Sequence, residues 1–421
     1  MIDSKQLARG YLQSLNVIFW RKKVQWKPYH SARGARFVSF GVRLLDSTQL
    51  DMVSKLTGPI ALQAGVENVN IMPDGRFLDF QFQLHKNHWR EFYRSDVTGS
   101  TVGIRAISSK GNKTVQFDID RFFPHSLFSG TTRSGKTEAV KTALHALCTI
   151  HNPNQLKIGI CDPKIVKFSD FENSAHLVGQ IASTKKQIEN MVQWFWEQFI
   201  ERRNKGLIKA NHSDIPYLLL VLDECHDPAI LGDSKAKTRH DENMAALSQL
   251  VKQGGEYGIH TIFVTQYPTM DVFGSILKEL GGRWVARMDS AQGSSQATGR
   301  PGVGCERLTP GGDMIHVAGH MIERCQIVLT RRADYQLLPR AEIKTIIRPK
   351  KRVNIDNVPV ANGRPAIQPS PAVVALYLVN RLKISRNQAQ KQHGLSVTEH
   401  YRNRDFAIEL IRNIKRLRGA M

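Results

Sequence analysis

Period-two alternation of apolar and polar side chains marks residues 36–44 and 77–82 as half-buried strands, and residues 48–64 between them carry the spacing of a helix. Residues 1–100 are therefore expected to form a small α+β unit. From residue 101 to residue 345 the rhythm changes. Short continuous apolar runs alternate with longer amphipathic stretches, the pattern of a mostly parallel sheet with helices on both faces. The runs are residues 125–129, 157–161, 217–222, 260–264, 283–287 and 325–330, each the length of a buried strand. Residues 346–370 are rich in Pro, Asn and basic side chains and read as an exposed linker. Beyond it, residues 371–381, 385–393 and 396–411 predict three short helices with Gly394 at a turn, a helix-turn-helix pattern that also occurs in small bundles that bind no DNA. No internal repeat is evident.

Composition changes this picture in one respect. The 421 residues include 59 Lys or Arg against 37 Asp or Glu, a formal net charge of +22. A soluble enzyme of small neutral metabolites has no need of that surplus, and a polyanion is the natural partner. Residues 331–421 alone hold 19 basic and 6 acidic side chains, so the excess is concentrated at the C-terminal end. The five cysteines (Cys148, Cys161, Cys225, Cys305 and Cys325) are scattered and form no C-x-x-C pair, which argues against a disulfide framework and a zinc site and fits a reducing cytoplasm. No apolar run approaches the length of a membrane span and no signal-like start is present, so direct membrane insertion is not expected.

The most specific chemistry lies at Gly130-Thr131-Thr132-Arg133-Ser134-Gly135-Lys136-Thr137, which fits G-x-x-x-x-G-K-[ST] between a predicted strand and a predicted helix starting near Glu138. Such a loop wraps phosphate oxygens with backbone N–H groups at a helix N-terminus. Lys136 would reach the β and γ phosphates of ATP, and Thr137 would place its hydroxyl on Mg²⁺. The run Leu218-Leu219-Leu220-Val221-Leu222 ends in Asp223 and Glu224, the form of a Walker B strand. Asp223 would hold Mg²⁺ and Glu224 would polarise the attacking water. The next strand ends at Gln266, where a polar side chain can face the γ phosphate, because ligands of open α/β sheets sit at the carboxyl ends of strands.

Together with Pro124-His125-Ser126-Leu127, Asp162-Pro163-Lys164, Gly258-Ile259-His260, Val264-Thr265-Gln266-Tyr267-Pro268, Asp289-Ser290 and Gly311-Gly312-Asp313-Met314, these residues resemble the motor domain of the FtsK/SpoIIIE family of DNA translocases, over roughly residues 35–330. The resemblance implies an α/β fold with a RecA-like P-loop ATPase core (residues 101–345). A small N-terminal α+β domain (1–100) would stack on it, followed by a linker (346–370) and a C-terminal helix-turn-helix, winged-helix-like module (371–421). It further implies a homo-oligomeric ring, commonly a hexamer, that hydrolyses ATP between subunits and moves double-stranded DNA. Arg283 sits where the family places its arginine finger, with Arg287 and Arg300 as rivals. Residues 232–239 occupy a position that faces the channel in the family, so Lys235, Lys237 and Arg239 are candidate phosphate contacts. Arg386, Arg402 and Arg404 are the candidates in the C-terminal module.

The chain also departs from the family. Arg133 replaces a residue that is usually glycine, the segment 283–289 is shorter than in cell-division members, and their membrane-spanning part is missing, which favours a version from a mobile element or phage. Partners in a secretion channel, a capsid or a recombinase are compatible with the same motor, as is a DNA-bound ATPase switch. The aromatic residues Trp20, Trp26 and Tyr29 lie among Arg21, Lys22, Lys23 and Lys27, a setting for stacking on bases or for helix packing.

Overall fold

The structure is a computed structural model and describes residues 4–74, 77–108, 111–119, 124–164, 166–224, 237–343 and 345–349. The predicted C-terminal helices, with Arg386, Arg402 and Arg404, lie outside these residues. So do Lys235 and the side chains of Lys237 and Arg239.

The N-terminal part consists of α1 (Ser4–Arg21), β1 (Trp26–Arg33), β2 (Phe37–Leu44), α2 (Leu50–Ser54), α3 (Thr57–Ala64), β3 (Val69–Asp74) and β4 (Phe77–Gln83). Its four strands pair antiparallel in the order β3-β4-β2-β1. The apolar positions of the alternating strands meet α1 and α3 in one core, where Leu15, Phe19, Val42, Ile60, Phe80 and Phe82 are fully buried. Phe19 stands edge-on to both Phe80 and Trp26. Of the other early aromatics, Tyr29 stacks on Phe77 and Trp20 is exposed. The single helix expected over residues 48–64 is instead two, interrupted at Lys55 and Leu56. Pro59 explains the break: without an N–H it is accommodated in the first turn of α3 but not inside a continuous helix.

The larger part continues the same sheet with β5 (Thr101–Ser108), β6 (Gly111–Gln116), β7 (His125–Ser129), β8 (Leu156–Cys161), β9 (Tyr217–Asp223), β10 (Ile259–Thr265), β11 (Gly282–Val285), β12 (Asp313–Ala318) and β13 (Met321–Ile327). Its helices are α4 (Lys136–Ile150), α5 (Lys185–Asn204), α6 (Lys237–Gln253), α7 (Met270–Phe273), α8 (Ile276–Glu279), α9 (Ala291–Thr298) and α10 (Arg332–Gln336). The strand order is β3-β4-β2-β1-β5-β13-β12-β11-β7-β10-β9-β8, with β6 pairing β5. Only β11-β7-β10-β9-β8 are parallel. These strands are buried on both faces, as parallel sheets require.

From β11 through β12 and β13 to β5 the pairing is antiparallel, so a mostly parallel sheet holds for half of this region. The reason is local. Gly319 and His320 alone join β12 to β13, and a connection that short can only reverse the chain.

Register brings Ser129, Thr265 and Asp223 to one edge: Thr265 pairs with Ser129, and Val264 with Asp223. Helix α5 starts at a capping box, in which the Thr184 hydroxyl accepts from the Gln187 N–H while the Gln187 carboxamide accepts from the Thr184 N–H. No described helix is long and apolar enough to cross a membrane.

Two buried histidines carry a pH signature. Burial lowers His125 to about 3, helped by neighbouring His260, and burial lowers His316, stacked on Trp284, to about 4. Unfolding frees both to bind protons near their ordinary 6.5, so stability is greatest above that pH and falls as pH drops towards the folded values. Each contributes roughly 1.4 kcal/mol per pH unit in that window. Chemical unfolding at pH 7.5 and 5.5 is expected to show a loss of about 2 kcal/mol or more, and His316→Phe should remove about half of it.

Candidate functional site

The phosphate loop runs from the end of β7 to the start of α4 and is held from three sides. The Gly130 N–H donates to the Thr265 carbonyl at the tip of β10, and the Thr131 N–H donates to the Arg287 carbonyl beyond β11. On the third side the Ser134 carbonyl accepts from both Gly311 (3.1 Å) and Gly312 (2.9 Å). The turn at Gly311 and Gly312 needs its glycines, since both have φ near +91°. Gly135 is required for a different reason: a Cβ there would run into the Gly312 amide. Arg133 has φ of 62°, so the loop demands a left-handed residue at the position where this chain departs from glycine.

A residue from the N-terminal part braces the turn. Arg36 is buried against Trp89 and donates Nη1 to the Pro310 carbonyl and Nη2 to the Gly311 carbonyl, each at 2.7 Å. Behind it, Asp313 receives a bidentate Arg324 fork and both the N–H and hydroxyl of Thr309. Burial works to raise the Asp313 carboxyl, but the charge and hydrogen bonds of Arg324 override it and hold it below its ordinary range. Arg324 also reaches Gln81 of β4 and lies over the Phe37 ring of β2. Neither Arg36 nor this fork was visible to sequence reasoning, because a lone arginine before a strand carries no pattern. The Gly311-Gly312-Asp313 string was the available signal.

Opposite the loop, β9 delivers Asp223, fully buried, and Glu224, nearly so. Glu224 adopts φ of 56°, a strained conformation of the kind that clusters at functional sites. Gln266 links the two sides. Its Oε1 accepts from the Thr132 hydroxyl at 3.0 Å, and its Nε2 lies 3.4 Å from both Glu224 carboxylate oxygens. The structure thus brings Thr132, Asp223, Glu224 and Gln266 together at the ends of three adjacent strands, β7, β10 and β9.

Three lysines face the acids. Lys167 Nζ is 2.5 Å from Asp223 Oδ2 and 2.8 Å from Glu224 Oε1, and Lys164 Nζ is 3.5 Å from Glu224. Lys136, on the first turn of α4, is mostly buried, and burial pulls its ammonium below its ordinary value. Burial raises Asp223 to about 6 against the pull of Lys167. For Glu224 burial works the same way but loses: the hydrogen bond and charge of Lys167, with Lys136 and Lys164 behind them, hold it at about 2. Lys167 is itself pushed up, the two carboxylates outweighing its desolvation.

Arg283 is held within its own chain. Its guanidinium turns inward and donates to the carbonyls of Leu277, Leu280, Gln296 and Ala297, tying α8, the start of β11 and α9 together. The predicted run at 283–287 placed Arg283 on β11, but the sequence could not show that the carbonyls of Leu277, Leu280, Gln296 and Ala297 converge on it. Of its rivals, Arg287 is exposed and Arg300 donates to the Gly319 carbonyl.

Fold and site define a P-loop protein, a mixed α/β domain whose large central sheet carries the phosphate loop at one edge. Residues 88–215 match the model of the FtsK/SpoIIIE family. DNA translocase SftA of Bacillus subtilis (strain 168) is 24% identical over 340 residues, which is 74% of this chain and 34% of that protein. DNA translocase FtsK of Helicobacter pylori (strain J99 / ATCC 700824) is 28% identical over 169 residues, 37% of this chain and 19% of that protein. The chain therefore spans a third or less of these relatives. Among solved structures, the pCW3 conjugation coupling protein TcpA in its monomer form with ATPgS has a similar fold, with a TM-score of 0.50, 15% identity, and coverage of 77% of this chain and 95% of that one.

Replacing Arg36 with Met removes both of its hydrogen bonds, leaving the Pro310 carbonyl without that donor while the Gly311 carbonyl keeps Gln326, and should destabilise the protein by about 1–3 kcal/mol. Thermal melting checks this. Nucleotide affinity, measured well below the variant's melting point, should also fall several-fold, because the Ser134 carbonyl loses its fixed support.

Proposed function

We propose that the chain is an ATP-dependent motor that moves double-stranded DNA, working as a homo-oligomeric ring, commonly a hexamer, around a RecA-like core. The observation that carries this reading is the linkage of Thr132, Gln266 and Glu224 across three adjacent strand ends, in a chain whose relatives are DNA translocases. Phosphates would be held by N–H groups between Thr132 and Thr137 and by Lys136, the N–H groups of Gly130 and Thr131 being taken by carbonyls.

The residues also suit a hydrated Mg²⁺ held by Thr137 and Asp223. Asp223 Oδ1 is buried without a hydrogen-bond partner, which leaves an oxygen for a cation. When bound, the cation supplies charge neutralisation for the phosphates. Glu224, kept ionised by its lysines, accepts a proton from the attacking water. Gln266 orients that water and reports the γ phosphate to the loop through Thr132.

The charge expected from a neighbouring subunit would come from Arg283, as the resemblance implies, or from Arg287 or Arg300; Arg283 and Arg300 each donate to carbonyls of this chain, whereas Arg287 is exposed. Lys235, Lys237, Arg239 and the basic residues Arg386, Arg402 and Arg404 would contact DNA phosphates, which carry no sequence information and suit a motor indifferent to sequence. The same motor could serve DNA transfer, as in the conjugation coupling protein of similar fold. A reducing cytoplasmic setting fits the four described cysteines, all buried thiols.

The test is ATP turnover with and without duplex DNA, paired with displacement of a triplex-forming oligonucleotide. Turnover should rise strongly with duplex of any sequence, and Glu224→Gln should abolish displacement while retaining ATP and DNA binding. Equal turnover with and without DNA would sink the motor reading, and slow turnover with site-restricted binding would point to a switch. Arg283→Ala should cost about 2 kcal/mol of stability, read by melting. Arg287→Ala and Arg300→Ala should each leave melting within about 1 kcal/mol, and the variant that loses turnover identifies the finger.

A further inference from the structure

The loop after β8 is built to bring one ammonium to the two acids. Asp162, with no exposed surface, caps the loop from inside: its Oδ1 accepts from the Lys164 N–H, and its Oδ2 from the N–H groups of Lys167 and Phe168. Phe168 is fully buried, so the backbone at Lys167 is anchored on both sides. From there the side chain reaches Asp223 and Glu224 together. Two adjacent carboxylates this deeply buried cannot both stay ionised without a counter-charge. Lys167 provides it on a flexible four-carbon stem that retains 19% of its exposure.

We propose that Lys167 is a resident counter-cation that occupies Asp223 in the metal-free protein and must leave it before a divalent cation binds, so that lysine and metal compete for one carboxylate. The inference rests on reading Asp223 as the cation-holding residue. Glu224 keeps Lys164, at 3.5 Å, when Lys167 moves. The freed ammonium then faces the phosphate side of the site, where Lys136 already lies. In the absence of nucleotide Asp162, Asp223 and Glu224 balance Lys136, Lys164 and Lys167 in charge, and the arrival of a metal-bound polyphosphate gives the displaced lysine a new anion. Lys167 in this way keeps the site intact when empty and weakens its affinity for metal alone, which couples cation binding to nucleotide binding.

The experiment uses the full chain without nucleotide. Free Mn²⁺ is titrated by electron paramagnetic resonance, and thermal melting is recorded in EDTA and in Mg²⁺. Wild type should bind Mn²⁺ weakly and melt at nearly the same temperature in both conditions. Lys167→Gln should melt lower in EDTA, recover in Mg²⁺, and bind Mn²⁺ at least tenfold more tightly. Lys167→Arg, whose fork holds both carboxylates, should bind Mn²⁺ no more tightly than wild type, and it decides the question should the Gln variant fail to fold. Equal Mn²⁺ affinity in wild type and Lys167→Gln, or tighter binding by Lys167→Arg, overturns the inference. Wild type that binds no Mg²⁺–ATP at all overturns the nucleotide-site reading instead, which the metal titration does not depend on.

Discussion

The carbonyl of Ser134 is the point on which the site depends. A phosphate loop works because its N–H groups already point inward before the anion arrives, and a loop of small residues has little stiffness of its own. Here two glycine N–H groups grip that single carbonyl, and Arg36 grips the carbonyls of the glycine turn in return. The close approach is possible only because Gly135 has no side chain. Rigidity at the phosphate site is therefore drawn from a strand seam outside the parallel core, where β12 and β13 meet β5 and the N-terminal strands.

Electrostatics complete what the hydrogen bonds begin. Three lysines, of which Lys136 is buried, Lys167 half-buried and Lys164 exposed, stand against three buried acids, and the arrangement separates the two adjacent carboxylates in character. Asp223 is raised by burial, whereas Glu224 is kept ionised by its cations. One is suited to sharing a cation and the other to taking a proton. Gln266 touches both Thr132 of the loop and Glu224, so a change at the γ phosphate has a short path to the acid that acts on water.

The parallel half of the sheet was legible because its strands are short, mostly apolar segments buried on both faces: the run at 125–129 matches β7, and those at 217–222 and 260–264 fall within one residue of β9 and β10. The phosphate loop and the acid pair were equally plain, since their chemistry fixes both residue type and spacing. The antiparallel half was legible only in part: the alternation at 36–44 and 77–82 marked β2 and β4, but β1 and β12 left no such sign. Strand β1 contains Lys27, Pro28 and His30, β12 mixes Asp313 and His316 with its apolar residues, and neither shows a clean period. Arg283 was placed on the right strand, but the carbonyls it donates to, at the ends of α8 and α9, gave no sign in the sequence. Lys167 escaped notice for a related reason. It is one lysine among 59 basic residues, and only the fold of its loop around Asp162 brings it to the acids.

The brace from Arg36 has a practical consequence for anyone cutting this chain down to a minimal motor. The family match begins at residue 88, and a fragment started there would look complete by homology. It would nonetheless lack the guanidinium that seats the glycine turn, the Gln81 carboxamide oxygen that steadies Arg324, and the β1 partner of β5. Such a fragment would keep every motif and lose the stiffness that makes them a binding site, so a boundary drawn by sequence conservation is the wrong boundary for an expression clone.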